Sequence, residues 1–419
     1  MRENMSKFVM EEAKRCLQCK NPMCVKGCPV NTRIPDVISL FLNSELTQAG
    51  EILFENNPLS LVCSHVCPQE NQCEGHCILG RKGSPVHFSE IEKYVSDYYL
   101  NLEDKKVLPT APKGEKVAII GSGPAGITIA FILLRRGYQV TIFEGHDKIG
   151  GVMRYGIPEF RLPKSILDRM AERLIHLGVK IRPNTNIGNN LTVDDLFRDG
   201  FKAIFMGTGV WHPNKLGIKG ESLGHVHFAI DYLRNPSVYH LGKSVAVIGA
   251  GNVAMDVART AIRNGCSHAY ILNNMDETGI TARSVEVEYA KIDGARIMNF
   301  KAVTEIQEEG ILLADTHFEE TEEGKKVVID KESAEFFPVD SVIIAIGQGP
   351  RAVVVSSTEG IDVTQRGLVA VDEEGRTSRD GIFASGDVVT GAKTVVEAVK
   401  VSRRVADAID HYIQSTSIG

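Results

Sequence analysis

Residues 116–144 read KVAIIGSGPAGITIAFILLRRGYQVTIFE. An apolar, β-branched run ends in Gly121, Gly123 and Gly126, a helical stretch follows to Arg136, and a second apolar run closes on Glu144. Strand, glycine turn, helix, strand and an acid about twenty residues on form the βαβ frame that binds a dinucleotide. The glycines let the backbone approach a pyrophosphate, the helix N-terminus stabilises its charge, and Glu144 can accept hydrogen bonds from a ribose. A lone Gly-x-Gly-x-x-Gly would decide little. In this frame it sets the fold class as α/β and calls for a Rossmann-like domain.

The frame recurs. Residues 244–272 read SVAVIGAGNVAMDVARTAIRNGCSHAYIL, with Gly249, Gly251 and Ala254 at the fingerprint positions, the last in the permitted Gly/Ala form. Two dinucleotide sites imply two cofactors, most simply FAD and a nicotinamide. After Leu272 come Asn273 and Asn274, where an acid would select the ribose 2'-hydroxyl or an arginine would take a 2'-phosphate. With neither present, Asp276 could reach a hydroxyl and Arg283 could fold back onto a phosphate. The balance leans modestly to NADH over NADPH, and the asparagines read equally well as turn residues.

Near the C-terminus, TSRDGIFASGDVVTGAKTVVEAVKVSRRVADAIDHYI carries a strand at Ile382–Ala384, then Gly386 and Asp387, then a long amphipathic helix from about Thr394. Asp387 would bind a ribityl chain, and the helix N-terminus would face the flavin N1/C2 edge, where negative charge collects on reduction. Phe205–Gly209 and Ile344–Gln348 look like crossings between a flavin domain and an inserted nicotinamide domain. The expected division is a helical domain at 1–112, an FAD domain at 113–235 and 346–419, and an NAD(P)H domain at 236–345.

Before Leu108 the chain changes character. Eight of its nine cysteines lie in the first 77 residues. Cys16, Cys19, Cys24 and Cys28 precede Pro29 in a Cys-x2-Cys-x4-Cys-x3-Cys-Pro run; Cys63, Cys67, Cys73 and Cys77 follow, with Pro68 after Cys67. A 4Fe-4S cube takes three ligands from a tight loop and a fourth from a distance. In bacterial ferredoxin runs the cysteine before the proline serves the other cluster, so the quartets need not be self-contained. Structural zinc, the competing reading, usually presents two short Cys pairs. Only Cys16 and Cys19 form one. Disulfides would need export, and the N-terminus MRENMSKFVMEEAKRC is charged with no apolar core. Helical spacing at Ile34–Leu42, Gln48–Glu55 and Ser89–Leu100 places a small α-helical domain around the cysteines, and Pro109–Lys116 reads as a linker.

At 419 residues the chain exceeds one core, and its formal net charge of -6 argues against nucleic acid as a partner. No apolar run reaches the roughly 18 residues of a membrane span. A cytoplasmic enzyme is expected. Glu319–Lys326, EETEEGKK, reads as a solvated hairpin tip.

Together with GGVMRYGIPEFRLPK at residues 150–164, these motifs, in order, resemble the small (β) subunit of glutamate synthase. They are also similar to the N-terminal part of dihydropyrimidine dehydrogenase and to the large subunit of NADH-dependent ferredoxin:NADP oxidoreductases. The resemblance runs from about Cys16 to Ile413. It implies FAD, two 4Fe-4S clusters and NADH or NADPH. One cluster would take Cys16, Cys19, Cys24 and Cys77; the other, nearer the flavin, Cys28, Cys67, Cys73 and Glu92, with Cys63 a bystander. The residues by themselves keep Cys63 as the alternative ligand. A carboxylate is a harder donor than a thiolate and would shift that cluster's potential. Gly150, Gly151, Arg154 and Tyr155 would line the FAD. Relatives that use NADPH typically carry an Arg pair where this chain has Asn273 and Asn274.

The resemblance further implies hydride transfer to flavin N5 and single-electron release through the clusters, chemistry that belongs to the cofactors and asks for no catalytic acid–base pair. A redox cysteine pair near the flavin is missing from the sequence, Cys266 being the only cysteine after Cys77 and reading as a small core residue. Two function classes follow. The chain is the electron-delivering subunit of a hetero-oligomer with a larger catalytic subunit, or the flavin subunit of an electron-bifurcating ferredoxin-linked transhydrogenase beside a second flavoprotein or ferredoxin. A third, a metal-stapled interaction protein with vestigial nucleotide sites, fits least.

Overall fold

The computed structural model describes residues 2–102, 114–321, 324–351 and 353–416. Most of the expected linker, residues 109–113, lies outside them. The chain forms two compact units, one of Met1–Met153, Glu159–Val210 and Pro350–Gly419, the other of Arg154–Pro158 and Trp211–Gly349.

In the first unit a five-stranded parallel sheet runs in the order Ile382–Ala384, Phe201–Met206, Lys116–Ile120, Gln139–Phe143, Lys180–Arg182. Val117 pairs with Val140 and Ile120 with Met206. Parallel strands are covered on both faces, and the central ones are accordingly near-continuous apolar runs, buried from Val117 to Ile120 and from Ala203 to Met206. Helix Pro124–Arg135 follows the first strand, and the C-terminal helix Val395–Thr416 packs against it. Tyr138 donates its hydroxyl to Asp410, and Arg136 pairs with Asp407, holding that helix down.

The cysteine-bearing residues fold as helices of the same unit. Ile34–Leu42 forms with the expected bounds; Leu46–Asn56 and Phe88–Leu100 each begin one or two residues earlier than their apolar spacing announces. Their core is Val37, Ile38, Phe41, Ala49, Leu53, Ile91 and Val95. The seam with the sheet domain is well made. Phe54 meets Phe131 edge-on at 5.1 Å, and the Arg173 guanidinium lies 4.6 Å from the Phe54 ring and 4.9 Å from that of Tyr99. Arg173 also donates to the Tyr99 carbonyl at 3.2 Å, and Arg403 to Asn56 at 2.9 Å.

The second unit repeats the parallel plan in the order Val226–Phe228, Ser341–Ile344, Ser244–Ile248, His268–Leu272, Arg296–Met298. Three antiparallel strands, Lys301–Gln307, Gly310–Thr321 and Gly324–Pro338, accompany it, with Glu319 opposite Lys326 in the expected acidic hairpin. Residues 322–323 of that hairpin lie outside the described set. Residues 211–235 belong to this unit, because Val226–Phe228 pairs with Ser341–Ile344 and helix Ala229–Arg234 puts Ala229 and Tyr232 into its core. The chain crosses after Val210 and returns at Pro350, just past Gly209 and Gln348. Cys266 is buried in this core. Among the described residues no helix is long and apolar enough to cross a membrane.

Candidate flavin, iron–sulfur and nicotinamide sites

Gly121 leaves the first strand with φ at 93°, and a Cβ there would lie 2.6 Å from the Gly207 carbonyl oxygen. A Cβ at Gly126 would lie 2.1 Å from the Gly121 carbonyl oxygen, so a side chain at either position would push helix and strand apart. Gly123, the N-cap of Pro124–Arg135, faces open space instead. Pro124 takes the first helical position, which needs no amide. The remaining amides of that turn point into the open ground over Gly123, a place suited to an anion.

Two distant segments reach the same helix end. The Gly150 amide lies 3.1 Å from the Ser122 carbonyl oxygen and 3.2 Å from its hydroxyl, and a Cβ on Gly151 would fall 2.6 Å from Gly123 Cα. A Cβ on Gly386 would fall 3.0 Å from that of Ala125. Arg154 and Tyr155 are half-buried and belong to the second unit.

Glu144 is buried. One carboxylate oxygen accepts from the Ser122 amide at 2.9 Å and from its hydroxyl; the other accepts from the His146 amide at 2.8 Å and lies 2.9 Å from its ring Nδ1. Burial alone would raise its pKa, but the hydrogen bonds from His146 and Ser122 hold the carboxyl below the usual range, so it remains an ionised acceptor.

Asp387 shows the opposite balance. Burial pushes it up to about 6 against the Lys393 amide, which donates to it at 3.1 Å, and Glu397 adds to the rise. Glu397 and Thr394 cap the C-terminal helix reciprocally. The Thr394 hydroxyl donates to the Glu397 carboxylate at 2.7 Å and accepts from the Glu397 amide at 3.4 Å. Thr394 therefore shapes the helix N-terminus, and its hydroxyl is spent on the cap.

Cys16, Cys19, Cys24 and Cys77 line one cavity of about 100 Å³, with Cys73 also on its wall and Cys28 not. Burial pushes the Cys24 thiol up to about 11, helped by Cys77, Cys16 and Cys19. A second group gathers Cys28, Cys67, Cys73 and Glu92: burial and then acidic neighbours raise Cys28, Cys73 and Glu92, while the neighbouring Cys63 and then burial raise Cys67. Cys63 stands beside this group, its carbonyl accepting from the Cys67 amide at 3.0 Å. Cys28 and Cys77 have thus changed places relative to their sequence quartets. Among the described residues no three His, Cys, Asp or Glu side chains close on a single metal ion; the thiols surround a volume, as a cube requires.

Several supporting residues escaped the motif reading. Thr32 lies 3.3 Å from Cys28 Sγ; buried Glu74 accepts from the Ser89 amide at 2.9 Å and anchors the helix that carries Glu92. Ser122 was visible as the residue between two fingerprint glycines. Thr32 and Glu74 carry no motif of their own.

In the second unit a Cβ at Gly249 would lie 2.5 Å from the Ala345 carbonyl oxygen, Gly251 caps helix Asn252–Arg263, and Ala254 is fully buried. Asn273 is buried and donates both amide hydrogens within the fold, to the Asp276 carbonyl at 2.8 Å and to Asn299 at 3.0 Å. Asn274 is exposed. Asp276 accepts from the amide and hydroxyl of Thr278, which lower its pKa. Arg283 Nη1 lies 3.9 Å from Glu286, and its amide donates to Asn252 at 3.0 Å.

Residues 115–402, and 78–195, match the family described as pyridine nucleotide-disulphide oxidoreductase; residues 2–104 match dihydropyrimidine dehydrogenase domain II, 4Fe-4S cluster. Fold and sites define an NAD(P)H-dependent FAD and iron–sulfur oxidoreductase. The chain is 34% identical over 429 residues to the glutamate synthase (NADPH) small chain of Halomonas elongata, covering 96% of this chain and 90% of that one. It is 32% identical over 416 residues to the NAD-dependent dihydropyrimidine dehydrogenase subunit PreT of Escherichia coli, covering 98% and 95%. It belongs to the family of the glutamate synthase small chain. Mycobacterium tuberculosis FprA in complex with NADPH shares the fold, with a TM-score of 0.61 at 17% identity over 73% of this chain and 86% of that one.

If Glu92 rather than Cys63 completes the second group, Cys63→Ser retains nearly all the iron while Cys73→Ser and Glu92→Ala each lose about one cluster's worth. Iron loss in Cys63→Ser with none in Glu92→Ala reverses the assignment. Asp387 offers a test by pH. Its folded pKa of about 6 stands above its ordinary 3.8, so its contribution to stability is full below about pH 4 and is lost as pH rises through 6. Asp387→Asn should therefore raise the melting temperature of the FAD-free protein above pH 6 and lose that advantage towards pH 4. Scanning fluorimetry across this range reads the difference, and a pH-independent one refutes the assignment.

Proposed function

We propose that this chain accepts electrons from a reduced nicotinamide and delivers them, through FAD and two 4Fe-4S clusters, to a partner protein in a hetero-oligomer. The observation that carries this reading is the seam inside the first unit. Phe54, on a helix of the cysteine-bearing part, packs on Phe131 of the helix whose N-terminus is shaped for a pyrophosphate. The relatives named above support the partner, since one is a small chain and the other a subunit.

Bound FAD supplies two-electron exchange with a nicotinamide and the clusters supply one-electron transfer, so together they split a pair. The residues here hold and orient. Gly121, Gly123 and Gly126 leave room for the pyrophosphate, Glu144 is an ionised acceptor for the ribose, and the turn at Gly150–Gly151 and Gly386 closes over the same helix end. Asp387 takes the ribityl hydroxyls, and the helix capped by Thr394 presents its positive end to the flavin. Cys16, Cys19, Cys24 and Cys77 hold one cluster; Cys28, Cys67, Cys73 and Glu92 hold the other. Because burial raises the Cys16, Cys24, Cys28 and Cys73 thiols, assembly must release their protons, and cluster loading weakens as pH falls.

Gly249, Gly251 and Ala254 form the nicotinamide dinucleotide turn. Asn273 is committed to its own turn and Asn274 is uncharged, so NADH is the donor this loop suits.

Anaerobically purified protein should contain roughly eight iron and eight sulfide per chain and one FAD, and NADH should bleach the flavin and produce reduced-cluster EPR signals. Zinc without acid-labile sulfide, or flavin bleaching with no cluster reduction, overturns the reading. NADH should also exceed NADPH in kcat/KM for flavin reduction. Asn274→Arg, at the exposed position, should improve NADPH by about 10-fold, the worth of one charge-assisted phosphate contact. A clear NADPH preference in the unmodified protein would mean that Arg283 or another base already supplies that charge.

A further inference from the structure

The carboxyl ends of three neighbouring strands of the second unit form one continuous edge. Ile248 pairs with Leu272 and Leu272 with Met298, so the turns that follow them stand side by side. The Gly249 amide donates to the Leu272 carbonyl at 3.0 Å, and the Asn273 amide to the Met298 carbonyl at 3.0 Å. A dinucleotide whose pyrophosphate lies over Gly249–Gly251 sets its ribose at Asn273 and Asn274, and its adenine is carried on towards the third strand. Neighbouring strands are spaced by about 4.8 Å, so an adenosine crosses about 10 Å of sheet edge to reach it. The residues that follow Met298 there are Asn299 and Phe300.

Phe300 has a backbone conformation that aromatic residues rarely adopt, with φ at 56°, in the left-handed region. Hydrogen bonds on both sides hold it there. Its amide donates to the Met275 carbonyl at 3.0 Å, and its carbonyl accepts from the Thr316 amide at 3.0 Å. The Thr316 hydroxyl donates to the Asn274 carbonyl at 2.8 Å and the Lys301 amide to the Asn273 carbonyl at 3.0 Å. The loop that follows the second strand is thus tied, backbone to backbone, to Phe300 and its neighbours. Backbone held in a costly conformation by its surroundings concentrates at ligand sites. The Phe300 ring meets Phe318 edge-on at 5.8 Å and is still 36% exposed. A ring fixed at its root by the backbone and at its side by a second ring, with that much surface left open, is preorganised to stack.

We propose that the Phe300 ring is the platform on which the adenine of the nicotinamide dinucleotide stacks. The inference rests on the reading of this unit as the donor site and adds the residue that takes the base. Asn273 is committed to its own turn and Asn274 is uncharged, so stacking on Phe300 supplies affinity that this loop does not draw from a charged phosphate contact. NADH and NADPH carry the same base. Phe300 therefore strengthens both equally and leaves the choice between them to position 274.

The test uses the FAD-loaded full-length protein and two replacements, Phe300→Asn and Phe300→Gly, that remove the ring and accept a positive φ. In each, KM for NADH in flavin reduction should rise about tenfold or more with kcat unchanged, and KM for NADPH should rise by the same factor. Phe300→Tyr, which keeps a ring, should hold both near the parent values. Reduced nicotinamide mononucleotide lacks the adenosine, so the loss should be absent with it. An equal loss with the mononucleotide marks a structural role and overturns the platform, as does an unchanged KM for NADH in the ring-free variants. Calorimetric titration with ADP-ribose separates this inference from the reading beneath it. Binding about tenfold weaker in Phe300→Asn than in the parent supports the platform even if NADH fails to reduce the flavin, an outcome that sinks the electron-delivery reading alone. Equal affinity in the two proteins, or no binding to the parent, overturns the platform whatever the redox result.

Discussion

The packing of backbone against backbone at the start of helix Pro124–Arg135 governs the first unit. A Cβ at Gly126 would meet the Gly121 carbonyl oxygen at 2.1 Å and one at Gly151 would meet Gly123 Cα at 2.6 Å, while Gly123 itself faces open space. Three stretches of chain separated by many residues can share one helix end only because they bring no side chains to it. What they bring is amides and a partial positive charge, and these favour an anion over water. The sheet order, with Phe201–Met206 and Ile382–Ala384 beside Lys116–Ile120, follows from the same requirement, since it delivers Gly207 and Gly386 to that end.

From this point the cysteine-bearing helices are located by a second constraint, a buried cation between rings. Arg173 is almost fully buried, with Phe54 and Tyr99 within 4.9 Å of its guanidinium and the Tyr99 carbonyl as acceptor. A cation–π contact contributes about 0.5–2 kcal/mol, and the cost of desolvating an arginine is of similar or larger size, so the cluster adds direction more than net stability. It fixes how helices Leu46–Asn56 and Phe88–Leu100 meet the sheet domain. That in turn fixes Glu92 and the thiols around it.

The helices and fingerprints were legible in the sequence because their signals are local. Ile34–Leu42 and Ile382–Ala384 form with the bounds their patterns announce, and each glycine turn stands between a strand and a helix as its spacing requires. The grouping of thiols was not local. Cys77 joins Cys16, Cys19 and Cys24 across about sixty residues of chain, and only the family resemblance, not the run of cysteines, pointed to that set. Phe205–Gly209 marked a crossing, but Val226–Phe228 has three residues, too few for a period-two pattern, and so the expected start of the nicotinamide domain fell at 236 rather than at 211. Asn273 was ambiguous for another reason. The same amide that could donate to a ribose donates instead to Asp276 and Asn299, and a sequence does not say which acceptor wins.

Burial and charge also run in a consistent direction through the cysteine region. The Cys28, Cys67, Cys73 and Glu92 group includes buried thiols and a buried carboxyl, all held towards their neutral forms. The Cys16, Cys19, Cys24 and Cys77 group is half-buried, and the segments 14–33 and 75–88 that carry it contain Lys and Arg but no Asp or Glu. In general a reducible group is reduced more readily beside positive charge and less readily beside carboxylates. The overall charge of -6 conceals this arrangement. Along the chain next to each thiol set the sign differs, with Lys and Arg but no acid in 14–33 and 75–88, and buried Glu74 and Glu92 among the inner group.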